Sequence, residues 1–160
     1  MITYRTALSR DAQALLQTRR QAALCNHSEV YSRAVLEAWA PKVDAKTICT
    51  ESQALNDPDR ITLVAETDGK MVGLCTIGVS ESLLKQCYVL PEYRGMGIAR
   101  ELVARIESIA KEKGLSSLTL SSSLIALDFY KKQGYHTLHA YEYPLEQGLF
   151  ISCVMMEKFF

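Results

Sequence analysis

Residues 83–99 read LLKQCYVLPEYRGMGIA, and this stretch governs the reading of the rest. Leu83–Val89 reads as a strand, closed by Pro91. Beyond Gly97 the apolar residues Ile98, Leu102, Val103, Ile106, Ile109 and Ala110 recur at helical spacing, predicting a helix over 97–113 that Gly114 stops. A strand thus runs through a glycine turn into the longest helix of the chain. The first N–H groups of a helix lack internal partners, and its dipole adds partial positive charge there. Gly95 and Gly97 keep side chains away, so a phosphate can approach the backbone, and Arg94 adds a full charge. The run suits a pyrophosphate. A glycine pair alone fits an ordinary tight helix start equally well.

The common nucleotide loops do not match. A phosphate-binding loop of the Walker type needs a Gly-Lys-Ser/Thr ending, which is missing. A dinucleotide fingerprint needs glycine where Arg100 stands and an acid at the end of the next strand, which here reads Ser121-Ser122-Ser123.

Outward from this segment, residues 60–66 and 70–80 read as strands joined by Asp68-Gly69, a strong hairpin signal. Upstream, residues 2–7 alternate as a strand, and Ser9 offers an N-cap to a helix over 11–24. Further helices fit 32–38, before Pro41, and 45–55. Downstream come a strand over 117–121, a helix over 125–133 ended by Gly134, and strands over 135–141 and 149–158. Glu101–Arg105 and Glu107–Lys111 form i,i+4 pairs in the favourable order. This order predicts an α/β (α+β) fold: a mixed sheet of six or seven strands with helices on its faces.

A length of 160 residues makes one domain over 1–160 and buries roughly 70% of the unfolded surface. Lys plus Arg equals Asp plus Glu, 18 against 18, which argues against nucleic acid or anionic membrane as partner. Five cysteines without a C-x-x-C pair read as reduced, mostly buried thiols. With no signal-peptide core or membrane-length apolar run, a cytoplasmic location is expected.

Arg94-Gly95-Met96-Gly97-Ile98-Ala99 resembles the Q/R-x-x-G-x-G/A motif of the GNAT superfamily of N-acetyltransferases. Residues 88–93, YVLPEY, resemble that family's lead-in, and residues 126–135, ALDFYKKQGY, are similar to its second signature, A-x-x-F-Y-x-x-x-G-F/Y. The two stand at the family's usual separation, and the element order agrees over nearly the whole chain. Residues 36–41, LEAWAP, resemble a branch of small bacterial acetyltransferases with mostly unknown acceptors.

The resemblance implies a mostly antiparallel sheet and acetyl-CoA as co-substrate, lying between the strands over 83–89 and 117–121. It implies an amine acceptor, small molecule or peptide, attacking directly in a ternary complex. On this resemblance, backbone groups of Cys87, Tyr88 and Val89 would pair with the pantetheine arm, and the Val89 N–H would polarise the thioester carbonyl. The N–H groups of Arg94, Gly95, Met96, Gly97, Ile98 and Ala99 would hold the pyrophosphate. Tyr130 would serve the leaving thiolate; a phenol near pKa 10 is a weaker acid than a thiol near 8.5, so the expected role is a hydrogen bond before full proton transfer.

Two departures from the family pattern stand out. Ser121-Ser122-Ser123 replace the Asn common in relatives, leaving Ser123 as a candidate cofactor contact. Leu84-Lys85-Gln86-Cys87 lacks the strand carboxylate that often receives the amine proton. Glu66, Glu81 and Glu142 are then candidate bases, each also readable as a solvated charge. His27, beside Glu29 and Tyr31, is a candidate substrate contact, and Trp39 reads as core before substrate cage. Cys87 reads as a strand residue used through its backbone. No metal is expected: His136 and His139, three apart on a strand, should face opposite sides. Residues 149–160 are apolar enough for strand or face pairing in a homodimer. The rival function is a CoA-ester-binding or regulatory module without turnover, favoured by the missing carboxylate.

Overall fold

Asp68 and Gly69 both take positive φ, 50° and 73°, and close a two-residue hairpin with Thr67 opposite Lys70. From this hairpin, in a computed structural model that describes residues 1–26 and 29–160, one sheet spreads both ways. Its strands are β1 (Thr3–Thr6), β2 (Arg60–Thr67), β3 (Lys70–Gly78), β4 (Leu83–Val89), β5 (Ser117–Ser123), β6 (His136–Pro144) and β7 (Phe150–Phe159), in the order β1-β2-β3-β4-β5-β7-β6. Every neighbouring pair is antiparallel except β4–β5, so the mixed, mostly antiparallel seven-stranded sheet is as expected.

Helix α1 (Ala12–Leu24) packs on β3 and β4, with α2 (Arg33–Trp39) and α3 (Ala45–Ala54) against it. Helices α4 (Ile98–Glu112) and α5 (Leu127–Lys132) cover the other face. The predicted stripe of α4 is what it buries: Ile98, Leu102, Val103, Ile106 and Ala110 are all at most 1% exposed. Each large side chain contributes about 1.5–3 kcal/mol by leaving water. Gly73 on β3 allows the approach, since a Cβ there would stand 3.2 Å from Ile98 Cγ2 and 3.3 Å from Leu102 Cδ1.

Several local expectations are corrected. Asp11, not Ser9, organises the entry to α1: its carboxylate accepts the Leu8 N–H at 2.7 Å and pairs with Arg5 at 2.7 Å. Glu107 lies on the buried side of α4, and it pairs with Lys158 on β7 at 2.8 Å instead of with Lys111. Lys111 sits over the Phe160 ring. A bulge between Thr137 and His139 sets His136 opposite Glu157 and His139 opposite Met155, which puts both histidines on one face of the sheet. All five cysteines are free, yet Cys25 and Cys49 are exposed and only Cys75 is fully buried. Strand β7 runs inside the sheet between β5 and β6, so at that end of the sheet β6 and not β7 offers the free edge. Among the described residues, no helix is long and apolar enough to cross a membrane.

Candidate active site

The parallel pair β4–β5 holds for only two rungs, Leu83 opposite Thr119 and Leu84 opposite Leu120, and then opens. Beyond that point β5 stays paired to β7 as far as Ser123 opposite Cys153. Strand β4 stays paired to β3, with a register shift between Thr76 and Ile77 that bends it. A wedge results. The Leu90 N–H bonds the Val72 carbonyl on β3 at 2.9 Å. By alternation, the N–H groups of Val89 and Cys87 face the wedge, while the backbone of Tyr88 faces β3.

At the mouth of the wedge stands the start of α4. Its first intrahelical bond runs from the Glu101 N–H to the Gly97 carbonyl, 3.0 Å, and no side chain caps it. The N–H groups of Ile98, Ala99 and Arg100 therefore look outward. Gly95 and Gly97 have φ of 79° and 81°, and a Cβ on either would meet open space. Both glycines are needed for left-handed backbone, not for packing inside the protein.

Together these features bound a cleft of about 1320 Å³. Cys87, Tyr88, Val89, every residue from Arg94 to Ala99, Ser123 and Tyr130 line it, so the structure brings the whole expected set together. Three of them sit differently from the simplest reading. The Arg94 guanidinium turns inward to protein carbonyls, with Nε 3.3 Å from Val89 O and Nη2 3.2 Å from Ala22 O. The Ser123 hydroxyl accepts the Ala126 N–H at 3.1 Å where the chain enters α5. The Tyr88 side chain turns to the α1 face, where it meets Trp39 at 6.1 Å between ring centroids and Arg19 at 5.9 Å. Trp39, expected as core, also lines the cleft.

Tyr130 is 6% exposed, clamped edge-on between Phe129 (5.1 Å) and Tyr135 (5.8 Å). Burial, and then the neighbouring Cys87 and Cys75 thiols, hold its phenol well above its ordinary range, so it stays protonated. That suits a hydrogen-bond donor and makes it a poor acid.

Among its described lining residues the cleft has the cations Arg19, Lys85, Arg94, Arg100 and Lys132, and no Asp, Glu or His. The candidate bases are engaged elsewhere. Glu66 binds Arg5, Glu81 binds Lys85, and Glu142 accepts the Ser152 hydroxyl. His27 lies outside the described residues. No group of three or more His, Cys, Asp or Glu among the described residues could hold a metal ion.

The sequence profile of the Acetyltransferase (GNAT) family matches residues 20–135. The chain belongs to that family. An IAA acetyltransferase from Azospirillum brasilense is 36% identical over 90 residues, covering 52% of this GNAT chain and 59% of that protein. An uncharacterized N-acetyltransferase from Chlorobaculum tepidum is 32% identical over 101 residues, 59% of this chain and 61% of its own length. These alignments thus span about three fifths of either relative. A spermidine N(1)-acetyltransferase from Thermoplasma acidophilum is 24% identical over 132 residues, 78% of this chain and 82% of that one. Among solved structures, a GCN5-related N-acetyltransferase from Rhodopseudomonas palustris superposes with a TM-score of 0.87 at 23% identity, over 99% of this chain and 95% of the other. PaiA N-acetyltransferase from Thermoplasma acidophilum, solved with coenzyme A, superposes at 0.79 and 21% identity over 100% and 99%. The GNAT fold is common to this chain and both of these solved structures.

Sequence reasoning missed Arg19 as a cleft-lining residue and Tyr31 as a brace of the strands beside the cleft. Arg19 reads as a polar position on an amphipathic helix, and only the packing of α1 across β4 brings it over Tyr88. Tyr31 follows the first helix in a segment without periodicity. Its buried hydroxyl donates to the Ser152 carbonyl at 2.6 Å and accepts the Leu124 N–H at 2.8 Å, tying the end of β5 to β7.

Proposed function

We propose that the chain moves an acetyl group from acetyl-CoA to a primary amine by direct attack in a ternary complex. The observation that carries this reading is an uncapped helix start and an unpaired strand edge opening on the same cleft. The N–H groups from Arg94 to Ala99 hold the pyrophosphate, with the helix dipole contributing ~0.3–1 kcal/mol. The wedge edge at Cys87 and Val89 takes the pantetheine arm as an added strand, and Ser123 lies within the same cleft. The Val89 N–H donates to the thioester oxygen, where negative charge builds as the nitrogen adds.

The amine nitrogen forms its bond to the carbonyl carbon, and collapse breaks the C–S bond. Tyr130 donates a hydrogen bond to the departing thiolate, and the proton lost by the amine is the one that thiol CoA gains in sum. Positioning and carbonyl polarisation supply most of the acceleration. With no carboxylate among the described lining residues, the amine reacts in its neutral form. A polyamine, the substrate named for the Thermoplasma acidophilum relative, suits this cleft poorly, because a polycation needs carboxylates that the described lining residues lack.

The same missing carboxylate favours a second reading, a module that binds a CoA ester without turnover. Incubation with acetyl-CoA and a panel of amines, reading free CoA and acetylated product by mass spectrometry, separates the two. Tight acetyl-CoA binding without CoA release for any amine would leave the second reading.

A further inference from the structure

On its α1 face the cleft carries two polar atoms that the protein does not satisfy. The Nε of Arg19 is buried with no hydrogen-bond partner, and no carboxylate among the described residues pairs with this guanidinium. Arg20 next to it is the contrast, bonded to Glu37 at 2.7 Å and to the Pro41 carbonyl at 3.4 Å. Gln86 stands two residues before Tyr88, hence on the same face of β4. Its amide nitrogen donates to Thr76 Oγ1 at 2.9 Å, and its Oε1 is left buried without a donor. An orphaned donor on a cation and an orphaned acceptor, both buried, are each unfavourable until a ligand completes them. Between them and around them the wall is apolar: Tyr88, Trp39 and Ile151.

These groups are complementary to one kind of molecule. We infer that the acceptor is an amino carboxylate, a primary amine with an apolar body and a carboxylate of its own. Arg19 holds the carboxylate, and the amine nitrogen donates to Gln86 Oε1. This rests on the acetyl-transfer reading above and narrows its acceptor. The nitrogen forms one C–N bond as the C–S bond of acetyl-CoA breaks. The products are an N-acetyl amino carboxylate and CoA thiol, the proton passing in sum from nitrogen to sulfur. A site that leaves polar groups unpaired without the right ligand discriminates strongly against analogues lacking the matching group.

Rates of CoA release are measured with L-phenylalanine, L-tryptophan and L-methionine, with the same three molecules lacking the carboxylate, and with spermidine. Each amino carboxylate should exceed its decarboxylated twin at least tenfold in kcat/KM, with spermidine lowest. Arg19→Met keeps an unbranched side chain but removes the guanidinium that lies over Tyr88, and it should erase that preference, while acetyl-CoA affinity stays within about twofold. Separately, amino carboxylate binding to the CoA-saturated protein is followed by calorimetry, and Arg19→Met should abolish it. Twins or spermidine used as well as the amino carboxylates would overturn the acceptor class and leave acetyl transfer standing. Arg19-dependent binding without any CoA release would support the ligand class and sink the transfer reading. The absence of both binding and CoA release would overturn the acceptor class itself.

Discussion

Arg94 reaches back to the carbonyl of Val89, its Nε 3.3 Å away, while its Nη2 holds the Ala22 carbonyl at 3.2 Å. One guanidinium thereby ties the glycine turn to the end of β4 and to the last turn of α1. Arg94→Met should cost about 2 kcal/mol, the worth of hydrogen bonds from a charged donor, or roughly 4–8 °C of melting temperature in a chain of this size. Acetyl-CoA affinity should fall with it. A variant that loses affinity with an unchanged melting temperature of the free protein would mean that the side chain serves the ligand's charge alone.

Gly97 separates strain from charge. At φ 81° any L-residue there is disfavoured, so Gly97→Ala should lose about 1–2 kcal/mol of stability. Gly97→Glu should lose a similar amount and, beyond that, at least ~2 kcal/mol of acetyl-CoA affinity, more than tenfold, because it sets bulk and negative charge before the open N–H groups of α4. Equal affinities for the two variants, measured by calorimetry, would move the phosphates away from this helix start.

Tyr130→Phe removes one oxygen and almost no volume. If the hydroxyl serves the leaving thiolate, kcat should fall about 10²-fold while acetyl-CoA affinity and melting temperature stay near wild type. A packing role predicts the reverse pattern. Single-turnover measurements keep product release out of the comparison.

The pH profile should belong to the acceptor. No carboxylate or His among the described residues lines the cleft, so if a neutral amine is the nucleophile, as proposed, kcat/KM should rise with pH through the amine's own pKa. Burial raises the Tyr130 phenol above its ordinary value near 10, so its deprotonation should cause no loss of rate below about pH 10. Two acceptors of different pKa should give correspondingly displaced profiles. A limb fixed near the ordinary carboxylate or imidazole range for both would reveal a protein base.

How far the sequence reaches depends on the range of the interactions. The Asp68-Gly69 hairpin, the stripe of α4 and the Leu83–Val89 strand follow from local backbone preference and periodicity, and they stand where they are expected. The ion pair of Glu107 with Lys158 is different: spacing along α4 favours Lys111, and only β7 packing beneath the helix supplies the partner. The bulge at Leu138 likewise depends on the register with β7, which no period within β6 encodes, and it reverses the facing of His139. In the site, the glycine turn is legible because positive φ demands particular residues. Arg19 and Gln86 are not, since an unsatisfied atom exists only once its surroundings are assembled.

The wedge between β4 and β5 opens toward both sides of the sheet: Cys87 packs with the core under α4, while Tyr88 beside it packs with the cluster under α1. A slot through a wall has two doors. Under the proposed acetyl transfer, its two visitors would enter from opposite rooms and meet at the threshold, so neither would have to leave before the other arrives. Initial-rate lines drawn against both substrates should therefore cross, and a dead-end occupant of one door should leave the other in use.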